Sequence, residues 1–446
     1  GMMVVSASAA SYNDLTDKDQ IVNKDAVSML VSLGIIEGKP DGSYAPTENV
    51  DRAQMAKMLS VIMNKGVDNS ALYQSVNSGL TDITSNWAKG HINYCYTTGI
   101  IAGRGNGTFD PSATVTALEA AKMLLVAVGY DPAIEGFEGA DWAINVSVRA
   151  DEQGIFEGFT KDLSAPLNRD DAALLIYNAL DVEMIQSYTT NNYPIAYSDH
   201  RTILADKYGV IKVQGVVVAN EWASLASDDG DAALKEGKTT IYNGEGIFST
   251  TGNTTVSKED ASLKTQTFNV STPVDMLGKT VNLYIKKTTI LADSTVYGDP
   301  VVSDVNTVVT TGETVLYSGA KDPQVDYDKL LGENGLTDKD AKYFWNYNSG
   351  KYIPNTTEKY GDKTANVKGA TLTIIDNNGD GEVDYVLSVE KALADITSVN
   401  SKKETVTVRT LGTLDNKDVV GYEDMAKEDV VLYVQYGGRT YLEKPE

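Results

Sequence analysis

Apolar residues follow two different periods along this chain. From about Ser11 to Val182 they recur at three- and four-residue intervals, which is typical of amphipathic helices. After about Gln186, short alternating runs take over and predict β-strands. These runs are VIKVQGVVVAN, TVNLYIKKTTILA, ATLTIID, YVLSVE, ETVTVRTL and VVLYVQYGGRTYLE. The pattern therefore predicts a multidomain α+β protein whose helices come first.

The strand-rich part lacks long helices between its strands, which favours mostly antiparallel sandwiches or small barrels. We expect a barrel-like domain at 197–287 and a second β domain at 288–446, divided near Thr288–Ala292. The second domain has a polar insertion at about 321–368, within which LTDKDAKYFW favours a short helix. The sequence YGGR at Tyr436–Arg439 predicts a tight hairpin turn. Strands that approach the last residue favour a chain that continues beyond it.

The helical part contains one turn and helix start twice. GKPDGSYAPTENVDRAQMAKML begins at Gly38 and GRGNGTFDPSATVTALEAAKML begins at Gly103, and eight of their positions are identical. The helix before each copy ends in Gly34 or Gly99, where glycine supplies the left-handed conformation that closes a helix. A weaker third copy comprises DWAINVSVRADEQGIF, with its closing Gly154, and LNRDDAALLIYNAL.

Each copy contains a recognisable helix start. Thr116 and Glu119 fit a capping box, in which each side chain binds a backbone N–H of the other residue. Asp51 and Asn168 fit the N-cap position of the other two copies. Because a pair of short helices cannot bury its own apolar face, such units stack on one another. We therefore expect an all-α bundle at 11–185, built from units at about 11–66, 80–130 and 137–182.

Composition excludes several classes of function. The formal net charge of −24 argues against a nucleic-acid partner, which needs a basic surface. No apolar run reaches the roughly 20 residues that a membrane span requires. The single cysteine, Cys95, excludes a disulfide framework, and with only two histidines, His91 and His200, no catalytic triad is indicated.

The first residues resemble the end of a signal peptide. MMVVSASAA contains small residues in an A-x-A arrangement at Ala7 and Ala9, although a basic segment before it is missing. The alternative is an ordinary disordered terminus. The segment favours export.

The three copies together resemble S-layer homology (SLH) repeats, over about two-fifths of the chain. Motif matches include Tyr12-Asn-Asp14, Trp87, Trp142, Lys39-Pro-Asp-Gly-Ser-Tyr44 and Asn106-Gly-Thr-Phe109. The T-R-A-E helix starts of the family correspond to Asp51-Arg52-Ala53-Gln54, Thr116-Ala117-Leu118-Glu119 and Asn168-Arg169-Asp170-Asp171.

The resemblance implies a pseudo-threefold bundle that anchors an exported protein to secondary cell-wall polysaccharide. In this family the glycan commonly carries pyruvyl ketal groups, which are carboxylates, and grooves between repeats receive it. The implied location is extracellular, in the cell wall or surface layer. Self-association in a surface lattice is a further partner that the resemblance implies.

Candidate glycan-binding residues follow from the helix starts and turns. Arg52 and Arg169 occupy the arginine slot, and a guanidinium offers paired donors that match a carboxylate. Ala117 takes the middle slot, so that groove is expected to bind weakly or not at all. The other candidates are Lys39, Arg104, Gln54, Glu119, Trp87 and Trp142. The alternatives to glycan binding are that each arginine is solvated or paired with a carboxylate, and that the tryptophans pack in the core.

A candidate calcium loop lies at TIIDNNGDGEVDYVLS. Its oxygen ligands fall at alternate positions of a D-x-[DN]-x-[DN]-G pattern: Asp376, Asn378, Asp380, Glu382 and Asp384. Leu387 stands where an EF-hand needs a bidentate glutamate, and strands flank the loop. A strand-loop-strand calcium site and a polar hairpin without metal both remain open.

Three functions are compatible with this sequence. The first is a non-catalytic surface protein whose β domains serve surface-layer assembly or display. The second is an anchored glycan hydrolase, and the third is a carbohydrate-binding or adhesion protein. A deep cleft with facing carboxylates would favour the enzyme, and a shallow aromatic platform would favour adhesion.

Overall fold

The structure is a computed structural model that describes residues 12–226, 233–247, 263–286, 294–311, 324–349, 364–366 and 370–445. Several sequence predictions fall wholly or partly outside these ranges. Among them are the signal-like start, the end of the run TVNLYIKKTTILA, the division near 288–292, parts of the domain at 197–287 and much of the insertion at 321–368.

Helices form the first part of the described chain. They are α1 (Lys24–Ser32), α2 (Arg52–Met63), α3 (Ser70–Tyr73), α4 (Lys89–Thr97), α5 (Ala117–Val128), α6 (Pro132–Glu135), α7 (Trp142–Glu152) and α8 (Arg169–Leu180). Short 3-10 helices at Tyr12–Asp14 and Lys18–Gln20 precede α1. The glycines predicted to close helices, Gly34, Gly99 and Gly154, have φ of 73°, 81° and 74°, as their role requires.

The three predicted helix starts are confirmed as N-caps of α2, α5 and α8, each of 12 residues. The side chains of Asp51, Thr116 and Asn168 each accept the backbone N–H three residues later. Asp51 and Thr116 complete capping boxes with Gln54 and Glu119. Each helix therefore begins at a residue that the sequence specifies locally.

The residues just before these three helices meet in a closed ring of hydrogen bonds. Val50 N donates to Leu167 O (2.9 Å), Leu167 N donates to Val115 O (2.7 Å), and Val115 N donates to Val50 O (3.0 Å). Each of the three strand-like segments thus contacts both of the others. The ring fixes the three helix starts around one centre.

One apolar core lies beneath the ring and joins the helices of all three units. It includes Met55, Leu59, Met123, Leu124, Leu175 and Ile176, all buried. Cys95 lies in the same core, with its Sγ 3.4 Å from the Ala56 carbonyl. Ile203, Leu204, Val210 and Tyr284, which belong to the following part of the chain, also join it. The helical part and the first sheet are therefore packed together.

A hairpin and a short helix connect the helices to the first large sheet. The hairpin is β1 (Ile185–Tyr188) with β2 (Pro194–Ala196), and the helix is α9 (Ile203–Tyr208). The sheet is antiparallel, in the order β5-β4-β3-β6-β7. Its strands are β3 (Val210–Asn220), β4 (Thr239–Tyr242), β5 (Thr265–Phe268), β6 (Thr280–Lys286) and β7 (Val296–Val302). The predicted barrel closure stays a prediction.

Two further sheets follow. The second has the order β11-β10-β14-β13-β8 and consists of β8 (Thr307–Thr310), β10 (Lys342–Trp345), β11 (Asn348–Ser349), β13 (Ala370–Asp376) and β14 (Tyr385–Glu390). A separate pair is β9 (Gln324–Asp326) with β12 (Thr364–Asn366), and α10 (Tyr327–Glu333) follows β9. The third has the order β17-β16-β15-β19-β20-β18 and consists of β15 (Ala392–Asn400), β16 (Thr405–Val408), β17 (Gly412–Asp415), β18 (Val419–Val420), β19 (Val430–Tyr436) and β20 (Arg439–Glu443).

The α+β prediction is confirmed at the level of helices followed by mostly antiparallel sheets, with β10–β14 and β18–β20 as parallel pairs. The helix predicted for LTDKDAKYFW is wrong. Its last four residues form β10, because they pair with the long apolar strand β14 and the Phe344 side chain is buried. Tertiary pairing overrides local preference there.

Candidate functional site

Arg52 is the first residue of α2, but its side chain extends to the second unit. Its Nε donates to the carbonyl of Phe109 (2.8 Å) and its Nη2 to the carbonyl of Ala102 (2.6 Å). The guanidinium carbon lies 4.5 Å from the centroid of the Phe109 ring, a cation–π contact. Both carbonyls flank the glycine-rich turn that begins at Gly103. Arg52 therefore clamps the second unit's turn onto the first unit.

This clamp is buried: Arg52 is only 4% exposed. Burial, together with the nearby charge of Arg104, lowers the pKa of Arg52 to about 10, so the side chain is still charged at neutral pH. Among the described residues, Nη1 has no hydrogen-bond acceptor. The Arg52 side chain is thus neither freely solvated nor paired with a carboxylate, so neither of the two alternatives to glycan binding describes it.

Arg169 makes the equivalent contacts between the third and first units. Its Nε donates to the carbonyl of Tyr44 (2.7 Å), and its guanidinium carbon lies 4.7 Å from the Tyr44 ring centroid. Its Nη2 lies 3.4 Å from the carbonyl of Glu37. The buried Tyr44 hydroxyl in turn donates to the Arg169 carbonyl (2.7 Å). We call the Arg52–Phe109 and Arg169–Tyr44 contacts the two arginine seams.

The junction between the second and third units lacks such a clamp. Ala117 occupies the corresponding position and is fully buried, and the backbone of Leu118 reaches the third unit through a bond to Leu163 O (3.1 Å). The nearby Lys161 is paired with Asp171 (2.6 Å). A methyl group supplies no donor for an anion. Two of the three junctions are thus clamped by an arginine, and the third is not.

The turn cations Lys39 and Arg104 lie beside the two arginine seams and are about one-third exposed. Lys39 forms an ion pair with Glu48. Arg104 contacts Asp110 at the longer distance of 3.5 Å. Arg104 is also close enough to Arg52 to lower its pKa, so these two cations share one seam. The Arg52 seam therefore holds two cations and a loosely bound carboxylate.

Two aspartates that sequence reasoning missed hold these turns in place. Asp17 accepts the backbone N–H groups of Tyr44 (2.8 Å) and Ala45 (2.9 Å). Asp82 accepts those of Phe109 (2.9 Å) and Asp110 (2.8 Å). The sequence match to the family's aromatic-x-Asp opening concerns Asp14, and the aspartate that holds the first turn is Asp17. The signal was available, because Asp17 and Asp82 show the same 65-residue offset as the turns.

The remaining candidate glycan-binding residues differ in how far their side chains already make contacts within the protein. Gln54 and Glu119 use one side-chain oxygen each to cap their own helices, at 3.0 and 3.2 Å. Trp142 is half-buried against the helical core, whereas Trp87 is 60% exposed. Core packing thus describes Trp142 but not Trp87. Their role toward a glycan stays a prediction.

The calcium-like loop joins β13 to β14 as a strand-loop-strand turn. Carboxylate oxygens of Asp376, Asp380 and Asp384 all lie within 4.8 Å of one another. Asp376 is buried and accepts the backbone N–H groups of Asn378, Gly379 and Gly381 (3.2, 3.0 and 2.9 Å). Burial, with the charges of Asp380, Asp376 and Glu382, raises the pKa of Asp384. Among the predicted ligands, Glu382 instead pairs with Lys339 (2.8 Å).

A cleft of about 570 Å³ lies between the first and second sheets. Asn378 and Asp384 of the calcium-like loop form part of its wall, and Tyr242, Glu245 and Asp340 form other parts. Tyr242 is 43% exposed. This wall combines carboxylates with an aromatic ring, so its shape alone does not separate the enzyme from the adhesion protein.

Comparison with known proteins decides the nature of the helical part. A family model described as S-layer homology domain matches residues 11–56 and 79–121. Those two ranges contain the turns and helix starts on which Arg52 and Arg104 lie. The helical part contains S-layer homology domains. The third unit, at 137–182, lies outside the matched residues.

Curated relatives of this S-layer homology protein include surface proteins and an enzyme. A cell surface protein of Thermoanaerobacter kivui is 27% identical over 250 residues, which is 56% of this chain and 30% of that protein. A middle cell wall protein of Brevibacillus brevis is 26% identical over 230 residues, or 51% of this chain and 21% of that protein. An amylopullulanase of Thermoanaerobacterium thermosulfurigenes is 30% identical over 186 residues, or 38% of this chain and 10% of that enzyme.

The chain spans less than a third of the length of each of these relatives. The S-layer homology domains and the relatives named as surface and wall proteins indicate an extracellular protein associated with the cell wall. Within the described ranges, no helix combines the length and the apolar character that crossing a membrane requires.

Proposed function

We propose that the helical part anchors this protein to a negatively charged, pyruvylated wall polysaccharide through its two arginine seams. Three S-layer homology repeats are arranged around a pseudo-threefold axis in this proposal. The observation that carries it is the equivalence of Arg52 and Arg169, each clamped on an aromatic ring beside an exposed turn cation. The ring of hydrogen bonds through Val50, Val115 and Leu167 supports the threefold arrangement.

The chemistry of a seam suits a carboxylate. Arg52 donates to carbonyls through Nε and Nη2, which leaves Nη1 for a ligand. Arg104 lies at the same seam, and its contact with Asp110 at 3.5 Å is long enough for a stronger acceptor to displace. The buried clamp sets the position of the turn, and the exposed cation binds the ligand's charge. A pyruvyl ketal presents such a carboxylate.

The turn cations provide the cleanest test of anchoring. Replacing Lys39 and Arg104 by Gln should weaken co-sedimentation with purified wall polysaccharide about tenfold, because each removes a charge-assisted contact of roughly 1.5–3 kcal/mol before solvent screening. The thermal midpoint should stay unchanged, since both side chains are surface-exposed. Glycan treated with mild acid to remove ketal groups should bind the wild-type protein as weakly as the variant does.

The matched control is Lys238→Gln with Lys417→Gln, which removes the same charge from the β part. Equal glycan binding by the seam variant and this control would contradict the anchoring proposal. Arg52→Ala is a poorer probe, because it leaves the carbonyls of Phe109 and Ala102 without their donor and would lower stability.

The β part in this proposal is non-catalytic and serves surface-layer assembly or display, possibilities that the relatives' names as surface and wall proteins support. A second candidate is an anchored glycan hydrolase, favoured by the amylopullulanase match and by carboxylates in the cleft. Release of reducing sugar from wall glycan by the wild-type protein, but not by Glu245→Gln, would favour the hydrolase. No release from either would favour the structural role.

We also propose that the loop from Asp376 to Asp384 binds calcium. Three mutually repelling carboxylates lie together, and a divalent cation would relieve that repulsion. Burial, together with this repulsion, raises the pKa of Asp384. Asn378 adds an amide oxygen at the third position of the pattern. Glu382, paired with Lys339, would contribute its backbone carbonyl.

Calorimetric titration with calcium chloride tests this loop. We expect saturable heat with the wild-type protein and about tenfold weaker binding for Asp380→Asn, because a charged oxygen ligand is lost. Asp380 is exposed, so its replacement leaves the loop's backbone bonds to Asp376 in place. The control is Asp424→Asn, an exposed aspartate near the third sheet. If calcium produced no heat with either the wild-type protein or Asp380→Asn, the loop would be a polar hairpin that binds no calcium.

A further inference from the structure

A second cationic site lies at the junction of the helical part and the first sheet. A cavity of about 320 Å³ opens between the ends of α1 and α2, the end of α9, and strands β6 and β7. Three lysines line it: Lys65, Lys207 and Lys286. We call this the junction cavity. Its size falls at the lower end of the range for small-ligand sites.

The charge of this cavity opposes that of the whole chain. The protein carries a net charge of −24, yet none of the described residues that line the cavity is acidic. The carboxylate of Asp206 lies 3.4 Å from Lys207 and also 3.4 Å from Arg201. One shared carboxylate does not balance three ammonium groups. The C-terminal ends of three helices lie at the cavity, and their carbonyl groups are partly negative. These carbonyl groups account for part of the attraction that holds the lysines there.

A buried hydroxyl without a partner belongs to one of the residues that line the cavity. The Tyr208 hydroxyl is buried and has no hydrogen-bond partner among the described residues, which is costly for a polar group. Its ring packs against Gly66, and its carbonyl accepts Lys286 Nζ (3.0 Å). Tyr297 is a second tyrosine in the cavity wall. The wall thus combines three lysines with two tyrosines.

The junction cavity is distinct from the arginine seams. Arg52 is the first residue of α2 and Lys65 follows its last turn, so a helix of 12 residues, about 18 Å long, separates the two sites. The donors also differ in kind. The seams use planar guanidinium forks, which match a carboxylate, whereas the cavity uses ammonium groups and phenols, which can surround a tetrahedral anion.

We propose that the junction cavity binds a phosphate group. Lys65, Lys207 and Lys286 come from three different segments of the chain and supply the positive charge, and Tyr208 and Tyr297 complete the wall. Because the walls come from both the helical part and the first sheet, a bound phosphate bridges the two. This site goes beyond wall anchoring at the seams and does not depend on it.

Titration calorimetry with inorganic pyrophosphate tests the site, with sodium chloride of matched ionic strength in the reference. The wild-type protein should show saturable binding and a raised thermal midpoint. Lys65→Gln with Lys286→Gln should weaken binding about tenfold, in line with the loss of two charge-assisted contacts. Both lysines are exposed, so the fold should be retained. Tyr208→Phe keeps the ring and removes only the hydroxyl, and it should weaken binding several-fold.

Two variants serve as controls. Lys238→Gln with Lys417→Gln should bind pyrophosphate like the wild type, and so should Lys39→Gln with Arg104→Gln, which separates this site from the seams. A failure of glycan anchoring with intact pyrophosphate binding would affect only the seam proposal. Absence of saturable binding, or binding that neither the lysine pair nor Tyr208→Phe weakens, would overturn the junction site.

Separate arms identify the source of the phosphate. Inorganic phosphate represents the free ion, and a short glycerol-phosphate oligomer represents a phosphodiester of a wall polymer. Tighter binding of either one than of glucuronate supports the site. Tighter binding of glucuronate would overturn the assignment to phosphate, because it would show a preference for a carboxylate.

Discussion

Arg52 and Arg169 each bind two main-chain carbonyls of a neighbouring unit and lie on an aromatic ring there. The planar guanidinium can do both at once. At Arg52 the charge survives burial because the pKa stays far above neutral. Lysine has a single ammonium group and cannot reproduce this geometry. Both positions therefore need arginine for the fold as well as for the proposed ligand.

His91 is a second residue whose environment has a measurable consequence. It is buried, its Nδ1 has no partner among the described residues, and its Nε2 lies 3.5 Å from Asp68. Burial lowers the pKa of His91, Asp68 acts in the opposite direction, and the charge of Lys57 adds to the lowering. The folded protein therefore binds a proton at His91 less readily than the unfolded chain does.

Stability should fall on acidification because of this residue. Its contribution is fully present above the unfolded histidine pKa of about 6.5 and is lost as the pH falls from there toward the folded pKa. Thermal midpoints measured from pH 7.5 to 5.5 should decrease less for His91→Gln than for the wild-type protein. His200 is 58% exposed, so His200→Gln is the control for the same substitution at a surface position. Equal slopes for all three proteins would contradict this role.

At the scale of elements, the three helices α2, α5 and α8 begin in the same way but with different residues. Asp51, Thr116 and Asn168 all adopt extended backbone angles and accept an N–H in the first turn. Gln54 closes the box of α2 with an amide oxygen, and Glu119 closes that of α5 with a carboxylate. The cap therefore depends on an acceptor oxygen and not on its charge.

This equivalence predicts different costs for two changes in one cap. Thr116→Ala removes the acceptor for the Glu119 N–H and should lower the free energy of unfolding by about 1 kcal/mol. Glu119→Gln keeps an acceptor oxygen, as Gln54 does naturally, and should leave stability nearly unchanged. Urea denaturation followed by helical circular dichroism measures both. A loss from Glu119→Gln as large as that from Thr116→Ala would contradict the cap argument.

At the scale of the whole molecule, the helical part and the first sheet share packing and polar contacts. The Tyr284 hydroxyl of β6 donates to Asp181 (2.8 Å), and the Tyr177 hydroxyl of α8 lies 3.3 Å from it. Gly298 of β7 lies against Met29 of α1. The calcium-like loop contacts the first sheet in turn, because Asn377 binds Gly278 and Thr280. A change at any of these junctions affects more than one part of the chain.

The net charge of −24 also acts on the whole molecule. It repels an acidic glycan over long distances, whereas the seam cations attract it at contact. At physiological salt, charges more than about 8 Å apart are already largely screened, so further salt acts mainly on the near cations. In the co-sedimentation assay, glycan binding should therefore weaken as sodium chloride rises. Binding that strengthens with salt would show that long-range repulsion dominates.

Local sequence signals predicted much of the secondary structure. The runs VIKVQGVVVAN, ATLTIID and YVLSVE correspond to β3, β13 and β14 residue for residue. Gly437 and Gly438 have φ of 61° and 75° in the predicted hairpin between β19 and β20. These features depend on alternation, capping residues and glycine, all of which act within a few residues along the chain.

The sequence by itself determined where α2, α5 and α8 begin, that Gly34, Gly99 and Gly154 close helices, which runs become β3, β13 and β14, and that a turn and helix start are repeated. Only the tertiary structure decided that Arg52 is buried on Phe109, that Asp17 and Asp82 hold the turns, and that three lysines distant in sequence line one cavity. Caps and turns are set by neighbours in the chain, whereas seams and cavities arise from segments that meet only after folding. No local pattern specifies which distant groups will share such a surface.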